Sequence, residues 1–214
     1  MIKIDFFTFN PLAENTYLLT NEKHEALIID PGFYFTEEEN MFRDFISNNN
    51  IKPVQLLNTH CHLDHVFGNE WVYKNYGLEL YIHKGEQTVL EFAPASGNMY
   101  GLGFTNYKGA FHFIDEGDKI FLGDDELEIL LTPGHSPASV CFYCKAQNFI
   151  IGGDVLFNES IGRFDLPGGD EQTLYKSIRE KLYVLPDETI VYPGHGESTT
   201  IGHEKRYNPF VILE

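Results

Sequence analysis

A short apolar run at residues 54–57 leads directly into Thr59-His60-Cys61-His62-Leu63-Asp64-His65, and a helical apolar period follows over residues 66–76, closed by Gly77. The order strand, loop, helix fixes where the titratable side chains must stand. It puts three imidazoles and a carboxylate at the carboxyl end of a strand, where ligand sites in layered α/β folds lie.

Four such groups within six positions are costly to bring together, because they repel one another or lose solvation unless a cation compensates them. Imidazole and carboxylate together suit zinc, manganese or iron. His24, His83, His112 and His203 sit in no comparable cluster and read as packed or surface residues. Three further segments each place one more candidate ligand at a strand end beside glycine or proline. They are Thr132-Pro133-Gly134-His135-Ser136-Pro137, Gly152-Gly153-Asp154 and Tyr192-Pro193-Gly194-His195-Gly196. Glycine there lets the backbone turn and approach closely, which aims a side chain into a shared pocket.

The rest of the chain predicts a layered fold. Strands are expected over residues 2–9, 16–20 and 26–30, paired antiparallel, then a helix over 36–47 with Thr36 as N-cap and Glu37, Glu38 and Glu39 in its first turn. A strand at 79–82 and a short helix at 86–92 precede a Gly- and aromatic-rich stretch, residues 93–111, which reads as a lid or substrate loop. Strands at 119–122, 127–132, 139–143 and 149–152, a helix at 171–183, a strand at 189–192 and a helical segment after Thr200 complete the second half. Two halves that each give strands and then helices predict two packed sheets with helices outside, a four-layer α/β sandwich formed by one domain over residues 1–214.

Composition narrows the partners. The formal charge is −17, from 32 acidic against 15 basic residues, and no Lys/Arg run offers a phosphate-binding surface, so nucleic acid is not an expected partner. No apolar stretch approaches the roughly 20 residues needed to span a bilayer, and the first residues lack a secretory pattern; a cytoplasmic protein is expected. Three cysteines do not describe a disulfide framework. Cys141 and Cys144 have the spacing of a zinc or redox pair but fall on an expected strand, where positions three apart face opposite ways, so packed thiols are expected.

With these segments in order, the chain resembles the metallo-β-lactamase superfamily, whose signature is HxHxDH followed by a distant His, an Asp and a final His. The resemblance implies the αββα sandwich and a dinuclear metal-dependent hydrolase. It assigns His60, His62 and His135 to one metal, Asp64, His65 and His195 to the other, and Asp154 as the bridge, with two divalent ions, zinc before iron or manganese. It further implies a hydroxide shared by the two metals as nucleophile, with Asp64 as the catalytic group that orients it or takes its proton.

Asn15-Thr16-Tyr17, Gly153-Asp154-Val155-Leu156-Phe157 and Ile161-Gly162-Arg163-Phe164-Asp165 are similar to the glyoxalase II group, which implies a thioester or related small acyl substrate. β-Lactamases of the commonest subclass have Cys where Asp154 stands. Glyoxalase II carries a C-terminal helical region that binds glutathione, whereas about twenty residues follow His195. Arg163 is the candidate for a substrate carboxylate, with ion pairing to Asp165 or Asp170 as its alternative. Tyr100, Phe104, Tyr107, Lys205 and Arg206 are weaker candidates, and packing is preferred for the aromatics. Two other functions stay open: a mononuclear iron persulfide dioxygenase of the same fold, and a binding module without chemistry.

Overall fold

The computed structural model describes residues 1–212 as two six-stranded sheets packed face to face, with helices on both outer faces. In the first sheet β1 (Lys3–Phe9), β2 (Glu14–Thr20) and β3 (Glu25–Ile29) form an antiparallel meander. Then β4 (Lys52–Leu57), β5 (Leu80–His83) and β6 (Phe111–Ile114) add on in parallel. Parallel neighbours need crossovers. These are α1 (Thr36–Asn48), then α2 (Leu63–Val66) with α3 (Asn69–Tyr76), and α4 (Gln87–Met99). Pro53 cannot donate to the ladder, and the register with β3 slips beside it, between Ala26 and Leu27.

The second sheet runs in the order β14-β13-β10-β9-β8-β7. Strands β7 (Lys119–Leu122), β8 (Asp125–Leu131), β9 (Val140–Cys144) and β10 (Phe149–Gly153) are antiparallel neighbours. A small hairpin, β11 (Leu156–Phe157) with β12 (Ser160–Ile161), and α5 (Glu171–Ser177) cross to the parallel β13 (Ile190–Pro193). The edge strand β14 (Thr199–Thr200) leads into α6 (Ile201–Tyr207).

Three apolar layers follow from the period-two alternation of strands. Leu19, Ile29 and Leu57 meet Ile129, Phe142 and Ile151 between the sheets. Their chain neighbours Leu18, Ile28 and Leu56 face outward onto Phe42 of α1, Val72 of α3 and Leu90 of α4. On the other side Cys141, Ile150 and Val191 meet Leu174 and Ile201. Cys141 therefore lies in the outer layer and Cys144 between the sheets, as the strand reading requires. The sandwich is the α/β architecture expected.

Three local expectations are corrected. The helix over 36–47 is not capped by Thr36: the chain enters at Phe35, and the Glu38 carboxylate accepts from the Tyr34 and Phe35 amides at 2.8 and 3.0 Å. Residues 66–76 do not form one helix. The break falls at Gly68, whose missing Cβ leaves room for the Phe33 ring and whose amide donates to Pro31 O at 2.7 Å. Asp64 and His65 thus belong to the short α2 rather than to a loop. The stretch at 93–111 begins in a helix, because α4 runs through Pro94 to Met99. A proline there deprives Leu90 O of its helical donor, and Asn106 Nδ2 supplies one at 2.7 Å.

Candidate metal centre

Four segments converge at one end of the sandwich. Where β4 ends, Asn58 Nδ2 donates to His65 O at 2.8 Å and to Asp30 Oδ1 at 3.0 Å, which holds α2 back against the strand end. His62 is the N-cap of α2 and Asp64 and His65 lie in its turn. His135 sits between β8 and β9. Asp154 follows Gly153, whose φ of 51° turns the chain against Thr59 where a side chain would collide. His195 follows β13 on a loop tied down by Asn15, whose Nδ2 donates to Pro193 O and Gly196 O at 3.1 and 2.9 Å, and by Tyr17, whose hydroxyl donates to Pro193 O at 2.6 Å.

All seven side chains expected from the sequence meet there. His60, His62 and His135 form one group and Asp64, His65 and His195 another, with the donor atoms within each lying inside 4.8 Å of one another. His135 Nε2 is 2.8 Å from His62 Nδ1 and 3.2 Å from His60 Nε2. In the second group His195 Nε2 is 3.1 Å and His65 Nε2 3.8 Å from Asp64 Oδ2. Asp154 stands between them, with Oδ2 3.5 Å from His135 and 3.4 Å from His195, and Oδ1 3.4 Å from His65.

Four imidazoles have their outer nitrogen engaged, which leaves Nε2 directed inward with its lone pair free. His135 Nδ1 donates to Arg163 O at 2.7 Å and His195 Nδ1 to Ala13 O at 3.1 Å. His65 Nδ1 donates to Asp30 Oδ2 at 3.1 Å. Thr59 Oγ1 gives its proton to the same Asp30 oxygen at 2.6 Å and so accepts from His60 Nδ1 at 3.1 Å. Asp30 is also near enough to His60 and His65 to form a third group of possible ligands, but its oxygens are taken up by these donors and by Thr59 N at 2.7 Å. It orients ligands instead of acting as one. Glu86 does similar work on the other side. Its buried carboxyl accepts from Cys61 N at 2.9 Å, Ser136 Oγ at 2.6 Å and Ala138 N at 2.9 Å, joining the His60/His62 segment to the His135 loop.

The two groups differ electrostatically. Burial, reinforced by neighbouring imidazoles, holds His60 well below the usual histidine range and His62 at about 3, and burial also lowers His135. Burial would lower His65 and His195 too, but the Asp154 and Asp64 carboxylates overturn it, holding His65 well above the ordinary value and His195 at about 10. Burial would raise both carboxylates, and His65 with His195 pulls them down instead. The Asp64 and Asp154 carboxylates thus make the His65/His195 side the one that favours positive charge.

The residues fit two divalent cations. His65 Nε2 and Asp154 Oδ1 are buried, point into the cluster and have no hydrogen-bond partner. Nitrogen ligands at roughly 2.0–2.1 Å around a tetrahedral ion lie about 3.3 Å apart. The separations above scatter around that figure. Nitrogen donors with a shared carboxylate are the chemistry of zinc and iron centres.

Residues 9–195 match the family description "Metallo-beta-lactamase superfamily". The chain belongs to this superfamily. The superfamily domain is 38% identical over 203 residues to a probable metallo-hydrolase, YqgX, of Bacillus subtilis, which covers 94% of this chain and 93% of that one. It is 35% identical to the hydroxyacylglutathione hydrolase GloC of Haemophilus influenzae, covering 98% of both. Among solved structures it superposes on BLEG-1 B3 metallo-beta-lactamase with a TM-score of 0.90 at 36% identity, covering 98% of this chain and 99% of the other. TTHA1623 in a di-iron-bound form gives 0.87 at 34% identity, covering 96% and 99%. The chain is thus a metallo-hydrolase of this superfamily.

In this metallo-hydrolase the cluster floors a cavity of about 630 Å³. His62, Asp64, His135, Asp154 and His195 face the cavity, while His60 and His65 lie buried beneath. Arg163 stands at its wall, with Nε and an NH₂ group donating to Asp165 Oδ1 and Oδ2 at 2.9 and 3.0 Å. Asp170 instead caps α5. Tyr100 lines the cavity. Phe104 packs on Phe67, and the Tyr107 hydroxyl is held in the core by Leu80 N and Ala110 O. Lys205 pairs with Asp187, and neither it nor Arg206 reaches the cavity. Asp30 and Glu86 were missed from sequence. Asp30 precedes Pro31-Gly32 at a strand end, the same signature that marked His135 and His195; Glu86 carries no such mark. Among the described residues no helix is long and apolar enough to cross a membrane.

Proposed function

We propose that this chain hydrolyses a thioester or related small acyl compound, with two divalent cations held by His60, His62 and His135 on one side and Asp64, His65 and His195 on the other, bridged by Asp154. The observation that carries this reading is the pair of complete three-donor groups sharing one carboxylate. When bound, the cations acidify a water at neutral pH and polarise the acyl carbonyl. Water's oxygen adds to the carbonyl carbon, the C–S bond breaks, and a carboxylic acid and a thiol leave. Asp64, held in its ionised form on the cavity floor by His65 and His195, orients the attacking water or receives its proton. Arg163 stands where a guanidinium could grip a substrate carboxylate, because an exposed pair such as Arg163–Asp165 contributes little and opens readily.

The full second group favours this reading over a mononuclear iron dioxygenase, which uses one set. Zinc leads on the donor chemistry, and the di-iron form of TTHA1623 supports iron as the alternative. A thioester is favoured by the resemblance to GloC; the likeness to a B3 metallo-beta-lactamase makes a β-lactam the comparison substrate. Metal analysis of the natively purified protein, with a panel of thioesters including S-lactoylglutathione, a β-lactam and a persulfide, tests the reading. About two metals per chain and thioester turnover are expected. One metal with oxygen consumption on the persulfide, or β-lactam turnover with inert thioesters, overturns it.

A further inference from the structure

The wall of the cavity is apolar where the family comparison would lead one to look for charge. From α4, Val89, Phe92, Ala93 and Ser96 follow one another at helical spacing along the cavity. Leu166 and Pro167 face them from the segment before α5. Phe92 is 48% exposed and Leu12 38%, so large apolar side chains of the cavity that holds the ligand cluster stand in water. Among the described residues Arg163 supplies the only Lys or Arg side chain of the lining, so the lining can meet one carboxylate at most. A glutathione moiety carries two carboxylates and an ammonium, for which this lining offers almost no partners, in a chain of net charge −17.

Resting on the hydrolase reading above, we infer that the acyl group of the substrate is an uncharged alkyl chain of medium length, laid along the Val89–Phe92–Ala93 face of α4 with its thioester carbonyl over the cluster. The occupant follows from continuity: the apolar wall ends on the residues that would hold the metals, so whatever covers it is joined to the group that reacts. Elongation of the chain buries methylenes against α4, and each buried methylene raises affinity about fourfold. Phe92 and its neighbours set specificity, while the cluster sets the reaction.

The test uses metal-loaded protein and acyl thioesters of one small neutral thiol, N-acetylcysteamine, from acetyl through butyryl and hexanoyl to octanoyl, beside S-lactoylglutathione. Equilibrium binding of the corresponding S-alkyl thioethers, which cannot be hydrolysed, is measured in parallel. Thioether affinity should rise by about fourfold per methylene. kcat/KM should climb with it, so that the hexanoyl thioester exceeds the acetyl by on the order of a hundredfold and also exceeds S-lactoylglutathione. In Phe92→Asn, whose side chain is half in solvent, the hexanoyl-to-acetyl ratio should fall by about tenfold. Affinity that stays flat along the thioether series, preference for the glutathione conjugate, or an unchanged ratio in F92N overturns the inference. Thioether affinity that rises with length while no thioester turns over would support the apolar site and defeat the hydrolase reading instead.

Discussion

Replacing Asp30 by Asn should weaken both metal positions at once, although Asp30 is a ligand of neither. The buried carboxylate receives Asn58 Nδ2 and Thr59 N on Oδ1, and Thr59 Oγ1 and His65 Nδ1 on Oδ2. Asparagine preserves the volume and the Oδ1 pair, but puts an NH₂ group where two donors converge. To avoid facing it with a proton, His65 must give up its Nδ1 hydrogen and carry it on Nε2, toward the cluster. Thr59 must accept instead of donate, and its own proton then turns to His60 Nδ1, which forces the same inversion there. His60 and His65 belong to different donor groups. Loss of such an orienting partner weakens metal binding by roughly 10–100-fold, about 1.4–2.7 kcal/mol per site. Metal titration with a competing chelator, with circular dichroism as the control for folding, reads both sites. Thr59→Val removes the relay to His60 and leaves Asp30 on His65, so it should weaken the three-histidine side alone. Two metals bound to Asp30→Asn with unchanged affinity would refute the tautomer argument.

Three further predictions follow from the same geometry. Glu86→Gln sets an NH₂ group against Cys61 N–H or the Ser136 and Ala138 donors, and should weaken the three-histidine position about 10–100-fold while sparing the other, as read by metal titration. A Cβ at Gly194 would overlap Asp154 Oδ1 and His65 Cε1, so Gly194→Ala should retain at most one metal per chain; two metals in elemental analysis would contradict this placement. Burial, with the Asp30 and Asp64 carboxylates nearby, lifts Glu14 well above its ordinary 4.5 in the metal-free protein although His65 opposes it. The folded chain therefore keeps a proton that the unfolded chain releases, and the stability Glu14 contributes below 4.5 is lost as pH rises toward its folded value. Melting of metal-free Glu14→Gln should accordingly gain on the natural chain from pH 5 to pH 8, and a constant gap would count against a buried neutral carboxyl.

Seven ligand candidates were legible in the sequence because each carries its own local mark: a dense run of His and Asp after a strand, or a single His or Asp beside glycine or proline at a strand end. The layered fold was legible for a related reason, since adjacent apolar residues such as Leu18-Leu19 and Leu56-Leu57 can be buried only where a strand is covered on both faces. Only the tertiary structure decided the rest. The helix expected over 86–92 stops short of Pro94, and α4 continues through that residue because Asn106, twelve residues on, satisfies the carbonyl that proline leaves open. The helix expected over 66–76 breaks at Gly68 because Phe33 fills its space. The state of four of the five imidazoles, fixed by Asp30, Thr59, Ala13 and the Arg163 carbonyl, depends on partners up to 182 residues away. Residue type and spacing determine which groups can bind a cation. Which nitrogen faces it, and what lies beside it in the cavity, depends on hydrogen bonds and packing that exist only once distant segments meet.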